Sequence, residues 1–199
     1  MREVEIKARV TDEMSLMHNL RDKGVMFGKL LFQHDAVFGL PDVVSGREIG
    51  EPTDGDATAP WLRIRTEEVD GKRTVYLTLK KSQGAYLDKI EHESIVDSAT
   101  RVMDIVTTLG FVKYSDVTKT RQQGSIEDMT ICVDSVDGLG VFVELEKLTE
   151  DDDIMLYQEV SDEMWAILGQ LGVDRINEVT KGYDVLILDK RKSALQLEH

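Results

Sequence analysis

Charged and apolar residues alternate along the first stretch of the chain, residues 3–10. Successive side chains of a β-strand point to opposite faces, so a strand here would place four charged residues on one face: Glu3, Glu5, Lys7 and Arg9. The residues between them are aliphatic and would face a core. Alternation of this kind is common in half-buried antiparallel strands. It becomes more informative because later strands repeat it.

Hydrophobic periodicity predicts the remaining elements. Strands are expected at residues 3–10, 27–38, 61–66, 74–81, 88–96, 111–123, 130–136 and 141–147. Helices are expected at residues 11–23, 97–109 and 161–171, with a short closing helix from about Asn177. Thr11 is the expected N-cap of the first helix, whose apolar residues Met14, Met17 and Leu20 recur at helical spacing and are expected to lie in the core. Many strands with few helices predict an α+β fold with an antiparallel sheet.

Three of the segments between these elements have a composition that predicts their structure. Asp70-Gly71 predicts a tight hairpin turn, and residues 137–140 predict a second turn between strands. Residues 39–60 are rich in Gly, Pro, Asp and Thr, which predicts a long loop.

Length and composition limit the possible classes of protein. A chain of 199 residues suits one domain, residues 1–190, followed by a tail at 191–199 whose end resembles the start of a purification tag. The net charge of -14 argues against a nucleic-acid partner or an anionic membrane surface. With neither a signal peptide nor a long apolar segment, the chain is expected to be cytoplasmic. The single cysteine, Cys132, is expected to be a small buried hydrophobe.

The charged alternation recurs across the predicted strands. Residues that share a face are Arg63 with Arg65, Tyr76 with Thr78 and Lys80, Glu91 with Glu93, Lys119 with Arg121, Thr130 with Cys132 and Asp134, and Glu144 with Glu146. Charges are costly to bury unless they are paired, so this surface must meet water or line a wet interior. A sheet that closes on itself would form a tunnel lined by acids and bases. Carboxylates suit Mg²⁺ or Mn²⁺, and the bases suit a chain of phosphates, so a metal-bound triphosphate matches both.

An ordered set of motifs resembles the CYTH family, also called triphosphate tunnel metalloenzymes. The matching segments are Glu3-x-Glu5-x-Lys7, Leu62-Arg63-Ile64-Arg65, Leu77-Thr78-Leu79-Lys80, Glu91-His92-Glu93, Lys119-Thr120-Arg121, and Asp134 through Gly138-Leu139-Gly140 to Phe142-Val143-Glu144-Leu145-Glu146. The first motif alone is weak, whereas the ordered set is specific. The resemblance runs from Glu3 to about Tyr183.

The resemblance implies a closed antiparallel eight-stranded β-barrel, or tunnel, with helices packed outside. By matching position it implies that Mg²⁺ or Mn²⁺ binds to Glu3, Glu5, Asp134, Glu144 and Glu146. It implies that the triphosphate binds to Lys7, Arg63, Arg65, Lys80, Lys119 and Arg121. Catalytic roles are assigned to Lys7, Glu91 and Glu93, where the two glutamates either bind metal or orient the bases.

The family includes several activities, and one position departs from its pattern. Val37 stands where an aromatic residue, often Tyr, is linked to hydrolysis in the thiamine triphosphatase branch. The leading hypothesis is therefore a class IV adenylate cyclase-like enzyme that converts ATP to cyclic AMP and pyrophosphate. The alternatives are hydrolysis of tripolyphosphate or of an organic triphosphate such as thiamine triphosphate, and a non-catalytic module that binds polyphosphate or a nucleotide. Whether the chain forms a homodimer is left open.

Overall fold

The described residues of the computed structural model form eight strands, as the alternating sequence pattern predicts. The structure describes residues 2–49, 59–82, 89–149 and 154–197, with side chains at 4–45, 59–81, 91–149 and 157–194. The strands are β1 (Arg2–Arg9), β2 (Leu31–Gly39), β3 (Trp61–Val69), β4 (Lys72–Ser82), β5 (Lys89–Val96), β6 (Val112–Ile126), β7 (Met129–Val136) and β8 (Gly140–Thr149). They form one sheet in the order β1-β8-β7-β6-β2-β3-β4-β5, which with its helices confirms the predicted α+β class.

The helices are α1 (Glu13–Asp22), α2 (Pro41–Ile49), α3 (Ala99–Thr108), α4 (Ile154–Gln170) and α5 (Tyr183–Leu197), with a short 3-10 helix at Arg175–Asn177. Among the described residues, no helix is both long and apolar enough to cross a membrane. The chain divides into two compact units. Unit 1 comprises Met1–Leu31 and Lys119–Lys181, and unit 2 comprises Phe32–Thr118 and Gly182–His199.

In unit 1, one face of the sheet is apolar and is covered by helices. The aliphatic residues of β1 are buried with those of β7 and β8 against α1 and α4. The largest fully buried side chains of this core are those of Leu16, Leu20, Ile131, Leu145, Met164, Leu168 and Leu171. Because side chains alternate across each strand, packing this face fixes the intervening charged residues on the opposite face.

Unit 2 repeats this arrangement on a smaller scale. Ala36, Phe38 and Ile64 form a core with Val106 of α3. The β3–β4 hairpin turns at Asp70 and Gly71, whose φ angles of 50° and 73° are those a tight turn of the mirror-image type requires. The predicted Asp-Gly turn is therefore confirmed.

Several predicted helix details were wrong. The N-cap of α1 is Asp12 rather than Thr11, since the Asp12 carboxylate accepts a hydrogen bond from the Ser15 amide. Leu20 is buried as predicted and Leu16 is buried beside it, whereas Met14, also predicted in the core, is 84% exposed. Helix α4 begins seven residues before the predicted residue 161, and the closing helix begins at Tyr183 and is 15 residues long.

The predicted loop at residues 39–60 was partly wrong, because Pro41–Ile49 forms helix α2. Proline is favoured at the first helical position, and the acidic Asp42 suits the first turn. Val43 and Val44 are buried, so packing rather than helix propensity stabilises this segment. Residues 50–58 of the predicted loop lie outside the described residues.

Closure of the sheet into a barrel is not confirmed. The strand order ends with β1 and β5. Within unit 1, the edge of β1 away from β8 pairs with the segment after the 3-10 helix. Ala8 forms an antiparallel bridge with Glu178, and the Val179 amide donates to the Lys7 carbonyl at 2.8 Å. These contacts protect part of an otherwise open strand edge.

The core of unit 1 can be tested with two leucines of β8. We expect Leu145→Ala, at a fully buried position, to lower the free energy of unfolding by about 2–5 kcal/mol because it leaves a cavity. Leu148→Ala is the matched control, since Leu148 is 65% exposed. Urea denaturation measures both. Equal losses in the two variants would contradict the assignment of the covered face.

Candidate functional site

The face of unit 1 opposite its core carries a network of acids and bases. We call it the unit 1 charged face, and its members are Glu5, Lys7, Lys119, Arg121, Asp134, Glu144 and Glu146. They come from strands β1, β6, β7 and β8. Antiparallel register brings them together, because it places Lys7 opposite Glu144 and Arg121 opposite Asp134.

Asp134 is the centre of this network and is fully buried. Its Oδ1 accepts from Arg121 Nε at 2.7 Å, and its Oδ2 accepts from Arg121 Nη2 at 2.7 Å and from Lys119 Nζ at 2.6 Å. Lys119 is itself buried. These contacts include a bidentate guanidinium–carboxylate pair, which is among the stronger polar contacts in proteins. Asp134 therefore fixes the positions of two bases.

Glu144 contacts both Arg121, which pairs with Asp134, and Lys7 on β1. Its Oε1 lies 3.2 Å from Lys7 Nζ, and its Oε2 accepts a short hydrogen bond from Arg121 Nη2. Lys7 Nζ also lies 3.3 Å from Glu5 Oε1, and Arg121 Nη1 lies 3.7 Å from Glu146 Oε1. The ends of the network are more open than its centre, since the Glu5 side chain is 43% exposed.

The pairing keeps these groups charged despite their burial. Burial would raise the pKa of Asp134, but its hydrogen bonds with Arg121 and the charge of Lys119 outweigh that effect and lower it. Burial would likewise raise the pKa of Glu144, but Arg121 and Lys7 lower it. Burial would lower the pKa of Lys7, yet Glu144 and Glu5 raise it. All of these shifts favour the ionised forms.

Glu5 and Glu146 form the part of this face that suits a divalent cation. They are directly opposite each other in the β1–β8 pairing. Like charges at opposed positions destabilise an antiparallel pair unless a cation compensates them. Both side chains are partly exposed and offer the oxygen ligands that Mg²⁺ and Mn²⁺ prefer. The chemistry of these donors therefore fits the metal implied by the resemblance.

The rest of the predicted metal set is placed less directly. Glu144 borders Glu146 on β8 but is engaged with two bases. Both oxygens of Asp134 also accept from bases, and the side chain of Glu3 lies outside the described residues. Among the described side chains, no group of three or more His, Cys, Asp or Glu is arranged to hold a metal ion. The metal role stays a prediction for the whole set, Glu3, Glu5, Asp134, Glu144 and Glu146.

Unit 2 carries a second network, which we call the unit 2 charged face. Its members are Asp35, Arg63, Arg65, Thr78, Lys80, Glu91 and Glu93. Asp35 on β2 lies directly opposite Arg65 on β3. Its two carboxylate oxygens accept hydrogen bonds of 2.7 Å from Arg65 Nε and Nη2. Sequence reasoning did not assign Asp35 a role, although the polar residues Gln33 and Asp35 share one face of β2 as the charged pairs of other strands do.

Glu91 and Glu93 contact the bases of this face. Lys80 Nζ lies 2.8 Å from Glu91 Oε2, and Arg63 Nη2 lies 3.5 Å from Glu93 Oε2. The Thr78 hydroxyl links the two sides, since it donates to Glu93 at 2.7 Å and lies 3.4 Å from Arg63 Nη2. Of the two roles left open for these glutamates, the contacts favour orientation of the bases.

Arg63 is less completely neutralised than Arg121. Its Nε is buried and has no hydrogen-bond partner in the described part of the chain. Burial and the neighbouring Arg65 lower its pKa, and the surrounding carboxylates compensate only in part. A buried donor without a partner is costly, so an incoming anion would be bound favourably at this position.

Two further positions bear on the sequence predictions. Val37 is buried and packs with Val44 and Tyr114, so an apolar cluster occupies the place where the family pattern has an aromatic residue. Cys132 is fully buried, and burial raises its pKa to about 12. The thiol therefore stays protonated, which agrees with the predicted role as a small hydrophobe.

The structure is an α+β fold whose antiparallel sheet carries networks of paired acids and bases on the polar face of each unit. The CYTH domain model matches residues 1–183, and the chain belongs to this family. The family acts on small-molecule triphosphates. A protein of Methanocaldococcus jannaschii, named as a candidate adenylate cyclase, is 33% identical over 188 residues, which cover 92% of this chain and 97% of that protein.

Solved structures share the fold. A protein of Pyrococcus horikoshii OT3 superposes with a TM-score of 0.76 at 26% identity, covering 94% of this chain and 99% of that one. A candidate adenylyl cyclase from Hippeastrum, described as having a dominant triphosphatase activity, gives a TM-score of 0.56 at 17% identity and covers 87% of this chain and 89% of that one.

Replacing Asp134 tests the buried centre of the unit 1 charged face. We expect Asp134→Asn to lower the free energy of unfolding by about 3–5 kcal/mol at neutral pH, because two bases lose their buried counter-charge. The lowered pKa of Asp134 means that its contribution is complete above pH about 4 and is lost as the pH falls through the native pKa.

The difference between wild type and Asp134→Asn should therefore narrow below pH about 4, as measured by denaturant unfolding across pH. Asp128→Asn is the control, because the exposed Asp128 pairs with Lys147 outside this network and should change little. A difference that is constant with pH would contradict a buried, ionised Asp134.

Proposed function

We propose that this protein is a metal-dependent enzyme that binds ATP by its triphosphate and converts it to cyclic AMP and pyrophosphate, in the manner of class IV adenylate cyclases. The observation that carries the proposal is the paired network on the unit 1 charged face. There, bases and carboxylates lie together at Lys7, Arg121, Glu144 and Glu146. A module that bound phosphate alone would need the bases but not so many carboxylates.

The carboxylates hold the bases in place for the substrate. Phosphate oxygens compete with carboxylates for the same guanidinium and ammonium donors, so substrate binding exchanges one set of acceptors for another. By family resemblance, the phosphate-binding set also includes Arg63, Arg65, Lys80 and Lys119. The partnerless Arg63 Nε supports this assignment, because it is a buried donor that an anion would satisfy.

Glu5 and Glu146 would hold the metal, together with Glu3, Asp134 and Glu144 as the resemblance implies. When bound, Mg²⁺ or Mn²⁺ supplies charge neutralisation and lowers the pKa of the attacking hydroxyl. The chain itself positions the triphosphate so that the ribose 3′-hydroxyl attacks the α-phosphorus in line and pyrophosphate leaves. Positioning and electrostatic stabilisation account for most catalysis of this kind.

Glu91 and Glu93 act as positioning residues in this scheme. They contact Lys80, Arg63 and Thr78, and so hold the bases that would neutralise the phosphates. Lys7 acts on the substrate directly as a phosphate-binding cation. Asp134 acts through Lys119 and Arg121.

Hydrolysis of tripolyphosphate or of an organic triphosphate is the second candidate function. The same residues would bind the phosphates, with water in place of the ribose hydroxyl. Burial of Val37 in an apolar cluster favours the cyclase, since the residue linked to hydrolysis in the thiamine triphosphatase branch is an aromatic one.

The products distinguish these functions. Incubated with Mn²⁺ or Mg²⁺ and ATP, the protein should release cyclic AMP and pyrophosphate in equal amounts, as measured by chromatography. Tripolyphosphate and thiamine triphosphate are the comparison substrates. Release of orthophosphate from either comparison substrate, without cyclic AMP from ATP, would show a triphosphatase rather than a cyclase. Tight binding of these ligands without any product would show a binding module.

Replacing Glu146 tests the metal site. We expect Glu146→Gln to reduce turnover by more than about a hundredfold, since changes even to residues that support metal ligands cost about 10–100-fold. The fold should persist, because the substitution removes one of two opposed carboxylates. Glu159→Gln on α4 is the control for the loss of one negative charge. Wild-type turnover in Glu146→Gln would exclude Glu146 from the site.

A further inference from the structure

Arg9 extends the charged face of β1 beyond Lys7, and its surroundings differ from those of the other bases. Val4, Ile6 and Ala8 are buried in the core, so the strand's alternation places Arg9 on the same face as Glu5 and Lys7. Lys7, Lys119 and Arg121 all pair with carboxylates. Arg9 is exposed, and no described carboxylate lies within ion-pair distance of it.

Two neutral groups hold the Arg9 guanidinium in position. Its Nη1 donates to the Leu139 carbonyl at 2.5 Å, and the guanidinium lies 4.7 Å from the centre of the Phe142 ring. Neither group carries a formal charge. Arg has five N–H donors, and the Leu139 carbonyl takes only one Nη1 donor. Arg9 is thus oriented while its charge and most of its donors remain available.

The turn at Gly138-Leu139-Gly140 explains how these two contacts to Arg9 form. Gly138 and Gly140 have φ angles of 74° and 96°, a conformation that favours glycine. The turn they form presents the Leu139 carbonyl to Arg9, and Phe142 follows directly opposite Arg9 in the β1–β8 pairing. The motif that ends in the carboxylates Glu144 and Glu146 therefore also supplies the two groups that orient the Arg9 guanidinium.

We propose that Arg9 is a further phosphate-binding residue, which recognises polyphosphate long enough to reach beyond Lys7. The inference rests on the proposed function. Two residues along a strand span about 7 Å, so Lys7 and Arg9 can engage different phosphates of one chain. A triphosphate held at Lys7 reaches this guanidinium, whereas a diphosphate held there does not engage it fully.

The test is titration calorimetry of sodium tripolyphosphate and sodium pyrophosphate in the presence of EDTA, which removes divalent metal and metal-dependent turnover. We expect Arg9→Gln to weaken tripolyphosphate binding by about tenfold, the loss of one charge-assisted contact, and to weaken pyrophosphate binding by less than about twofold. Arg9→Lys should recover part of the affinity, because it keeps the charge without the planar fork.

Arg21→Gln is the matched control, since it removes one exposed positive charge from α1 in the same unit. It should leave both affinities unchanged. Thermal unfolding of each variant reports any purely structural role of Arg9 in holding the turn. The inference would be overturned if Arg9→Gln bound tripolyphosphate with wild-type affinity, or if it lost equal affinity for tripolyphosphate and pyrophosphate.

Lys7→Met separates failure of the inference from failure of the proposed function. If Lys7→Met weakens the binding of both ligands while Arg9→Gln weakens the binding of neither, the proposed triphosphate site is supported and the role of Arg9 is rejected. If wild type binds neither ligand in EDTA or with Mn²⁺, the proposed function falls, and the inference falls with it.

Discussion

The pairing of Arg121 and Lys119 with Asp134 is the interaction on which the unit 1 charged face depends. Asp134 and Lys119 are buried, and a charge is costly to remove from water unless its partners replace the lost hydration. The three hydrogen bonds to Asp134 meet that requirement, and Glu144 extends the pairing to β1. The sheet can therefore carry charge on a buried surface only because acids and bases occur together. This constraint explains why the network brings the acids of β7 and β8 together with the bases of β1 and β6.

The two charged faces differ in how completely their bases are neutralised. Arg121 contacts three carboxylates, and although burial opposes its charge, Asp134 and Glu144 raise its pKa. Arg63 contacts Glu91 and Glu93 at 4.0 and 3.5 Å, retains a partnerless Nε, and has a lowered pKa because of burial and Arg65. Under the proposed function, a phosphate oxygen would gain more from Arg63 than from Arg121, because a buried donor of Arg63 lacks a partner. Arg121 must first exchange existing partners.

Alternation in the sequence was enough to predict the eight strands and the residues that share each face. It could not give the register, because the partners of β1 come from residues more than 130 positions away. The opposition of Glu5 to Glu146 and of Asp35 to Arg65 depends on that register. Helix α2 was missed since Val43 and Val44 are buried by tertiary packing, while the local composition favours a loop. Met14 was assigned to the core, although Leu16 and Leu20 fill it.

The opposed glutamates are the clearest conflict between folding and function in unit 1. A Glu–Glu pair across antiparallel strands disfavours the pairing, whereas residues elsewhere on β1 and β8 favour it through core packing. Two bases offset part of this repulsion, because Lys7 Nζ lies 3.3 Å from Glu5 and Arg121 Nη1 lies 3.7 Å from Glu146. Local conflicts that packing must compensate are expected at functional sites. Under the proposed function, a divalent cation bound by both carboxylates would reduce the remaining repulsion between them.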